Sequence, residues 1–264
     1  MVRRRSHYST SLAIAQGIIP ECVHLFEYWE EGMSVKALFE LVRSQGVLGV
    51  DSDRRTRNIV MEGFGSRFLR EPHDDAAIYL KAFMSKGDPK LRLEIILLYA
   101  LRQHGIFFDF MVEIYWPAIR SGRQTLDTGE VQSLIDHGRI DQKLETDWTE
   151  AMRKRVSSYV LGIAHDFELL GDSSRGSRSI QQWIPSDGII LYLAYDLHFL
   201  GLSDDEVIVA DEWQALGLER EDVIAYLNRL DQRGHLTLQD SGVISRIEWK
   251  YQDRTQLNDA LLRR

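Results

Sequence analysis

Apolar residues recur at helical spacing along nearly the whole chain, with polar residues between them. Capping residues, glycines and prolines divide this pattern into segments; Pro20 is predicted in the first turn of one helix, and another is predicted to begin after the cap Ser34 and to end at Gly46. It predicts helices over residues 10–16, 21–30, 35–43, 53–70, 74–86, 91–103, 107–119, 128–136, 147–170, 187–200, 203–216, 219–233 and 253–262. We therefore expect a mainly α protein, a helical bundle.

Strand signals are few, and they predict two small β-hairpins. Residues 168–170 and 179–183 flank a turn at 173–176, and residues 235–238 and 243–249 flank a turn at 240–242. Each hairpin follows a helix with a charged outer face. This order is typical of winged-helix proteins, so we expect winged-helix-like parts beside a helix-turn-helix.

Charge is distributed unevenly along the 264 residues, whose formal net charge is −8. Residues 1–70 carry ten Lys and Arg against eight Asp and Glu, a net charge of +2, and the remainder carries −10. The best candidate for a domain boundary is the predicted turn near Gly87. The expected domains are an N-terminal helix-turn-helix-like DNA-binding lobe (1–86) and a C-terminal helical lobe with winged-helix-like hairpins (87–264).

The strongest candidate site opens the predicted helix 53–70, which we call the basic helix. A short apolar helix and a glycine turn precede it, an order typical of proteins that lay a helix into the DNA major groove. At 100° per residue, the core face contains Val60, Met61, Phe64 and Phe68.

The opposite face of the basic helix carries Arg54, Arg55, Asn58 and Glu62. We expect Arg54, Arg55 and Asn58 to contact DNA, because Asn suits adenine and Arg suits guanine or phosphate. Arg57 and Arg67 are predicted to form buried or flanking ion pairs instead. The alternative is a solvated basic face without a ligand.

Other basic positions are weaker candidates. Arg3, Arg4 and Arg5 form either an arm that reaches DNA or an unstructured tail. Arg246 and Lys250, predicted to alternate outward with Ser245, suit either a wing that touches phosphate or a charged edge strand that prevents aggregation. The basic run 153–155 is more typical of an ordinary surface.

Catalytic and metal-binding patterns are weak. Asp240, Glu248 and Lys250 spell a motif used by metal-dependent nucleases, but Asp240 falls in a tight turn. His73, Asp74, Asp75, His165 and Asp166 are better explained by helix capping and a helix surface than by a metal. We expect no enzyme activity and no cofactor.

A single cysteine, Cys22, fits a reducing compartment, and the apolar stretches are too short to span a bilayer, so a cytoplasmic protein without a membrane partner is expected.

Several short patterns along the chain have a family in common. They are residues 8–12, Ser52 with Thr56, Ile59 and residues 67–68, residues 147–149, and the tail positions 234–236, Ile244 and 247–249. In these patterns the chain resembles the BrxA family of the bacteriophage-exclusion (BREX) defence systems.

The resemblance implies a small, mostly helical accessory protein whose helix-turn-helix-like part binds double-stranded DNA. BREX blocks phage replication, and other components methylate the host DNA. By position, the DNA-facing candidates are Ser52, Arg54, Arg55 and Asn58. We expect a non-catalytic DNA-binding accessory component that also contacts other BREX proteins. The alternatives are an adaptor between proteins of the defence complex or, because the family has been likened to NusB, an RNA binder.

Overall fold

Helices dominate the computed structural model, which describes residues 7–13, 17–70, 76–144, 146–174, 176–242 and 245–263. The helices of the first half are a 3-10 helix Thr10–Ala13, α1 Ile19–Tyr28, α2 Val35–Gln45, α3 Asp53–Arg57, a π-helix Asn58–Phe64, α4 Gly65–Phe68, α5 Ala76–Lys86, α6 Pro89–Gln103, α7 Gly105–Phe110, a second π-helix Met111–Tyr115 and α8 Trp116–Arg120. Those of the second half are α9 Thr128–Ile140, α10 Glu150–Asp166, α11 Asp187–Phe199, α12 Asp204–Ile208, α13 Asp211–Ala215, α14 Arg220–Gln232 and α15 Arg254–Leu262. The expectation of a mainly α protein is confirmed.

Two small antiparallel sheets accompany the helices. The first has the strand order β1–β3–β2, with β1 at Thr125–Asp127, β2 at Leu170–Ser174 and β3 at Ser177–Ile180. The second is the hairpin of β4, Leu236–Asp240, and β5, Ser245–Trp249. Both hairpins were predicted, but β1 was not. Its three residues are too short for an alternating pattern to be visible, and only Leu126 is buried.

Local sequence signals explain where many helices begin and end. Ser34 caps α2 by accepting a hydrogen bond from the N–H of Ala37, and Gly46 ends the helix in a left-handed conformation (φ 63°). Pro20 lies in the first turn of α1, as predicted. The predicted helix 10–16 is a 3-10 helix over Thr10–Ala13, and residues 14–16 lie outside the described residues.

One continuous cluster of buried apolar residues contains members from both sides of residue 87. Phe26 of α1 packs on Phe64 and Phe68 with ring centroids 4.8 and 4.9 Å away, and Phe68 packs on Tyr99 of α6 at 5.0 Å. Helix α5 contacts both α1 and α15. The core is therefore continuous across the predicted lobe boundary, and the division into two lobes stays a prediction.

The hairpin β4–β5 follows α14 and is fixed to the helices by aspartate side chains. Asp205 Oδ1 accepts the N–H of Ser245 (3.0 Å), and Asp204 Oδ2 accepts the N–H of Ile247 (2.9 Å). Asp231 Oδ2 accepts the N–H of Leu238 (3.1 Å) on the other strand. These three N–H groups point away from the partner strand, so side chains satisfy both outer edges of the hairpin at these positions.

Among the described residues, no single helix has the length and apolar composition needed to cross a membrane. The bent pair formed by Pro89–Gln103 and Gly105–Arg120, with an angle of 111° between its halves, reaches that length and composition only when the two helices are taken together.

Candidate nucleic-acid interface

The basic helix begins at a side-chain cap. Ser52 Oγ accepts the N–H of Arg55 (3.2 Å), and Thr56 Oγ1 donates to the carbonyl of Ser52 (3.3 Å). Ser52 was predicted to face DNA, and its hydroxyl oxygen already accepts this capping hydrogen bond. The connection from α2 spans residues 46–52, which is longer than the three- or four-residue turn typical of a helix-turn-helix. The helix-turn-helix interpretation stays a prediction.

The basic helix runs over residues 53–68 and is wound more loosely than a regular α-helix. Its middle, Asn58–Phe64, is π-helical. Most buried positions therefore recur every four residues instead of every 3.6, in the two series 56, 60, 64, 68 and 59, 63, 67, and Gly65 is buried as well.

This winding corrects three predictions made at 100° per residue. Met61 is only half-buried, although it was predicted to lie on the core face. Thr56, predicted on a flank, is buried, and Arg57 is exposed although it was predicted to lie beside the apolar stripe in an ion pair. Glycines 63 and 65 were the sequence signal that this helix is irregular. Gly65 lets Val35 approach closely, since a Cβ at position 65 would lie 2.6 Å from Val35 Cγ1.

Three arginines of the first turn and the residue after it reach solvent. Arg54, Arg55 and Arg57 are exposed, and Asn58 is half-buried. Arg54 and Arg57 form no ion pair with any residue that the structure describes. The structure thus brings the predicted residues Arg54, Arg55 and Asn58 together at one end of the helix and adds Arg57 to them.

Two carboxylates near this turn, Asp53 and Glu62, pair with other arginines. Asp53 Oδ2 lies 3.6 Å from Arg43, which also pairs with Glu40 at 2.7 Å. Further along the exposed face, Glu62 lies 3.8 Å from Arg70. Positive charge is therefore concentrated in the first turn of the basic helix and is balanced beyond it.

Arg67 anchors the other end of the basic helix in the interior; its burial fits the prediction, while the ion pair predicted for it stays a prediction. Its Nε donates to Gln103 Oε1 (2.8 Å), and Nη1 donates to the carbonyl of Gly17 (2.7 Å). Burial lowers the pKa of Arg67 and raises the pKa of Cys22 beside it to about 11. Cys22 is therefore a buried thiol next to a structural arginine.

The other predicted DNA-binding residues lie on different elements or outside the described part. Arg3, Arg4 and Arg5 fall outside the described residues. Arg246 of β5 and Lys250, which follows the strand, are exposed, but the exposed carboxylate of Glu248 lies between them in sequence. Ser245, predicted to point outward, is buried, because its Oγ donates to Asp240 Oδ1 (2.7 Å).

The basic run on α10 differs from the first turn of the basic helix. Arg153 pairs with Asp136 at 2.5 Å, and Lys154 pairs with Glu150 at 2.8 Å. Arg155 is exposed. Two of the three positive charges are thus already neutralised by carboxylates on the protein, as expected for an ordinary surface.

Asp240, part of the nuclease-like string, is held by its own hairpin. It accepts hydrogen bonds from Ser245 Oγ and the N–H of Gly242 and pairs with Arg220 at 3.4 Å. The hydrogen bond from Ser245 lowers the pKa of Asp240. Within the described residues, no group of three His, Cys, Asp or Glu is arranged to hold a metal ion. The absence of enzyme activity stays a prediction.

A buried charge cluster joins distant segments of the chain and was missed by sequence reasoning. Asp196 of α11, 1% exposed, accepts from Arg102 Nη1 of α6 (2.7 Å) and from Arg254 Nη1 of α15. Arg102 Nε also donates to Glu212 Oε1 (3.3 Å). Burial alone would raise the pKa of Asp196, but the two guanidinium groups outweigh it and lower the pKa. The sequence signal for this cluster was a charged residue in a mostly apolar segment: Arg102 at the end of residues 95–102 and Asp196 within residues 189–200.

The fold and this geometry define a mainly α-helical protein with an exposed arginine-rich helix start and, within its apolar core, a cluster of buried ion pairs. A model of the BrxA family matches residues 6–196, which is more than half of the chain. The chain therefore belongs to the BrxA family and is a protein associated with BREX antiviral defence. No similar sequence was found among curated proteins. The matched range includes the basic helix and ends within α11.

Proposed function

We propose that this protein is a double-stranded-DNA-binding, non-catalytic component of a BREX system, and that the first turn of the basic helix supplies its main DNA contacts. The main support for this proposal is that Arg54 and Arg57 are exposed and form no ion pair among the described residues. The chain as a whole has a net charge of −8. Elsewhere on the surface, basic side chains commonly lie against carboxylates.

Electrostatics favours an external anion at this position. Arginine at the start of a helix is repelled by the positive end of the helix dipole. A phosphate placed there would interact favourably with both the guanidinium groups and the helix terminus. Asn58 lies one turn further along and could read an adenine edge in the major groove. Such a role would place the protein in the cytoplasm, beside the DNA, where it would also meet other BREX proteins.

The test is a titration of fluorescently labelled duplex DNA with the full chain at two salt concentrations. Affinity should fall steeply with salt, with a log–log slope of about −0.9 for each phosphate neutralised. Replacing both arginines, Arg54→Ala with Arg55→Ala, should weaken binding at least about tenfold and make the slope shallower. Unchanged binding by this variant would remove the basic helix from the proposal.

Two further arms separate the alternatives. Competition with an RNA duplex of matched sequence distinguishes a DNA binder from an RNA binder. If the pure protein binds no duplex at low salt yet co-purifies with other defence components, the basic helix meets an acidic protein partner instead, and the adaptor interpretation replaces this one.

A further inference from the structure

An open cavity of about 460 Å³, lined by both polar and apolar surface, lies between the β4–β5 hairpin and α15 and shares no residue with the basic helix. Its lining residues are His235, Tyr251, Gln256, Asp259, Ala260 and Arg263. The volume lies within the range of small-molecule sites. Five of the six side chains carry hydrogen-bonding groups amid apolar surface, so the cavity suits a ligand that has both an apolar face and polar edges.

The hairpin side of the cavity is held rigidly. His235 Nδ1 lies 2.6 Å from Tyr251 Oη. Behind them, Tyr195 Oη donates to the carbonyl of His235 (2.6 Å) and accepts the N–H of Lys250 (2.9 Å) and of Tyr251 (3.3 Å). One buried hydroxyl therefore fixes both chain segments, and the half-buried Tyr251 ring is positioned before any ligand arrives.

The opposite wall is the outer face of α15. Gln256, Asp259, Ala260 and Arg263 share this face because they are three or four residues apart, while Leu257 packs on the other side. Gln256 Oε1 already accepts the N–H of Gln252 (3.0 Å), which leaves its Nε2 to donate. Asp259 offers a carboxylate that forms no ion pair within the described residues. The small side chain of Ala260 leaves room between these polar groups.

A carboxylate and an amide N–H on one helix face match the edge of guanine. Guanine presents N1–H and N2–H donors beside the O6 acceptor. Asp259 can accept from the two donors, and Gln256 Nε2 can donate to O6. Adenine has only one donor on this edge. An aromatic ring such as that of Tyr251 supplies a face on which a base stacks.

Positive groups beside the cavity suit the phosphate of a nucleotide. Arg263 lines the cavity and is exposed. Lys250 Nζ lies beside Gly234, 3.6 Å from the position that a Cβ there would occupy, and Gly234 is adjacent to His235. We propose that this cavity binds a guanine nucleotide, with Asp259 and Gln256 reading the base, Tyr251 stacking on it, and Arg263 and Lys250 contacting its phosphate.

The test is calorimetric titration of the full chain with guanosine 5′-monophosphate and, separately, adenosine 5′-monophosphate. We expect saturable binding of the guanosine nucleotide with a Kd below about 1 mM, and at least about tenfold weaker binding of the adenosine nucleotide. Equal binding of the two nucleotides, or no saturation by either at several times about 1 mM, would overturn the proposal.

Two variants locate the site. Asp259→Asn should weaken guanosine monophosphate binding about tenfold, because one of its two acceptor positions becomes a donor. Ala260→Leu should abolish binding by filling the cavity, and an unchanged unfolding temperature would show that the fold is intact. Glu221→Gln, an exposed carboxyl change on α14, is the matched control and should bind like the wild type. Wild-type affinity in both cavity variants would refute the assignment.

The guanine nucleotide that binds here is either a free nucleotide or the end of a DNA strand. A third experiment distinguishes these two sources. Duplexes with and without a single unpaired 3′ guanine are compared on the wild type and on Asp259→Asn. A preference for the unpaired guanine that disappears in Asp259→Asn supports a strand end, whereas saturation by guanosine monophosphate without such a preference supports a free nucleotide. The Arg54→Ala/Arg55→Ala variant should keep nucleotide binding, so failure of the duplex proposal and failure of this one are distinguishable.

Discussion

The molecule uses arginine in two opposite environments. In the first turn of the basic helix, Arg54 and Arg57 are exposed and form no ion pair within the described residues. In the cluster around Asp196, the side chains of Arg102 and Arg254 are 4% and 14% exposed, and both bind that carboxylate. The same guanidinium group is available to a polyanion in one place and is used for folding in the other. Burial and carboxylate partners, more than arginine content, decide which role an arginine has.

The largest expected effect is on stability, from removing the charge of Asp196. The substitution Asp196→Asn leaves two guanidinium groups in the interior without their counter-charge. We expect the free energy of unfolding to fall by about 3–5 kcal/mol, the usual result of breaking a buried ion pair from one side. Chemical denaturation of the variant and of the exposed control Glu221→Gln measures it. A loss no larger than that of the control would show that water reaches this cluster.

The same cluster should make the wild type sensitive to acid. The pKa of Asp196 in the folded protein lies below its ordinary value of 3.8, because the two guanidinium groups outweigh the effect of burial. Its stabilising contribution is therefore fully present above pH 3.8 and is lost as the pH falls through the folded-state pKa. Denaturation measured from pH 6 downward, about one pH unit at a time, should show this loss in the wild type and a flatter profile in Asp196→Asn.

The exposed arginines should affect DNA binding and leave stability unchanged. For Arg54→Ala combined with Arg57→Ala, we expect DNA affinity to fall about 10- to 100-fold and the salt slope to decrease by about 1 to 2 units. The free energy of unfolding should stay within about 0.5 kcal/mol of the wild type. A variant that unfolds more easily by several kcal/mol would contradict the comparison, because these side chains would then be structural.

A smaller effect separates capping from DNA contact at Ser52. Aspartate is as good an N-cap as serine, so Ser52→Asp should preserve stability, whereas Ser52→Ala should lower it by about 1 kcal/mol. The new carboxylate would repel phosphate, so Ser52→Asp should weaken DNA binding several-fold, and Ser52→Ala should weaken it less. If Ser52→Asp binds duplex as well as the wild type, the phosphate lies away from this end of the helix.

The smallest effect is expected from the basic run of α10. Arg153 and Lys154 are already paired with Asp136 and Glu150. Replacing both by alanine removes the same number of positive charges as the Arg54 and Arg57 double variant, yet duplex affinity should change by less than about twofold. A loss as large as that of the basic-helix variant would mean that total charge, and not its arrangement, determines binding.

Much of the fold could be predicted from the sequence, because helix starts and turns are local. Ser34, Pro20 and Gly46 act on neighbouring residues, and each was found in the predicted role. The π-helical winding of the basic helix could not be predicted in this way. The close contact of Gly65 with Val35 joins two separate helices, and the local pattern does not show it. The winding decides whether Thr56 or Arg57 is buried.

The candidate site was predicted in part for the same reason. Its exposed arginines lie within the four positions 54–57, so a helical wheel could find Arg54, Arg55 and Asn58. Arg102 and Asp196 are 94 positions apart, and nothing local links them. The cavity at the hairpin joins segments near residues 235, 251 and 256–263, whose proximity depends on how α15 returns to the sheet.

The aspartates that bind the outward N–H groups of the β4–β5 hairpin have a consequence for crowding. At a high local concentration, bare strand edges on neighbouring copies can join into a shared sheet. Here Asp204, Asp205 and Asp231 occupy those donors within the same molecule. Copies that are brought close together therefore have less risk of joining through this hairpin into fibres.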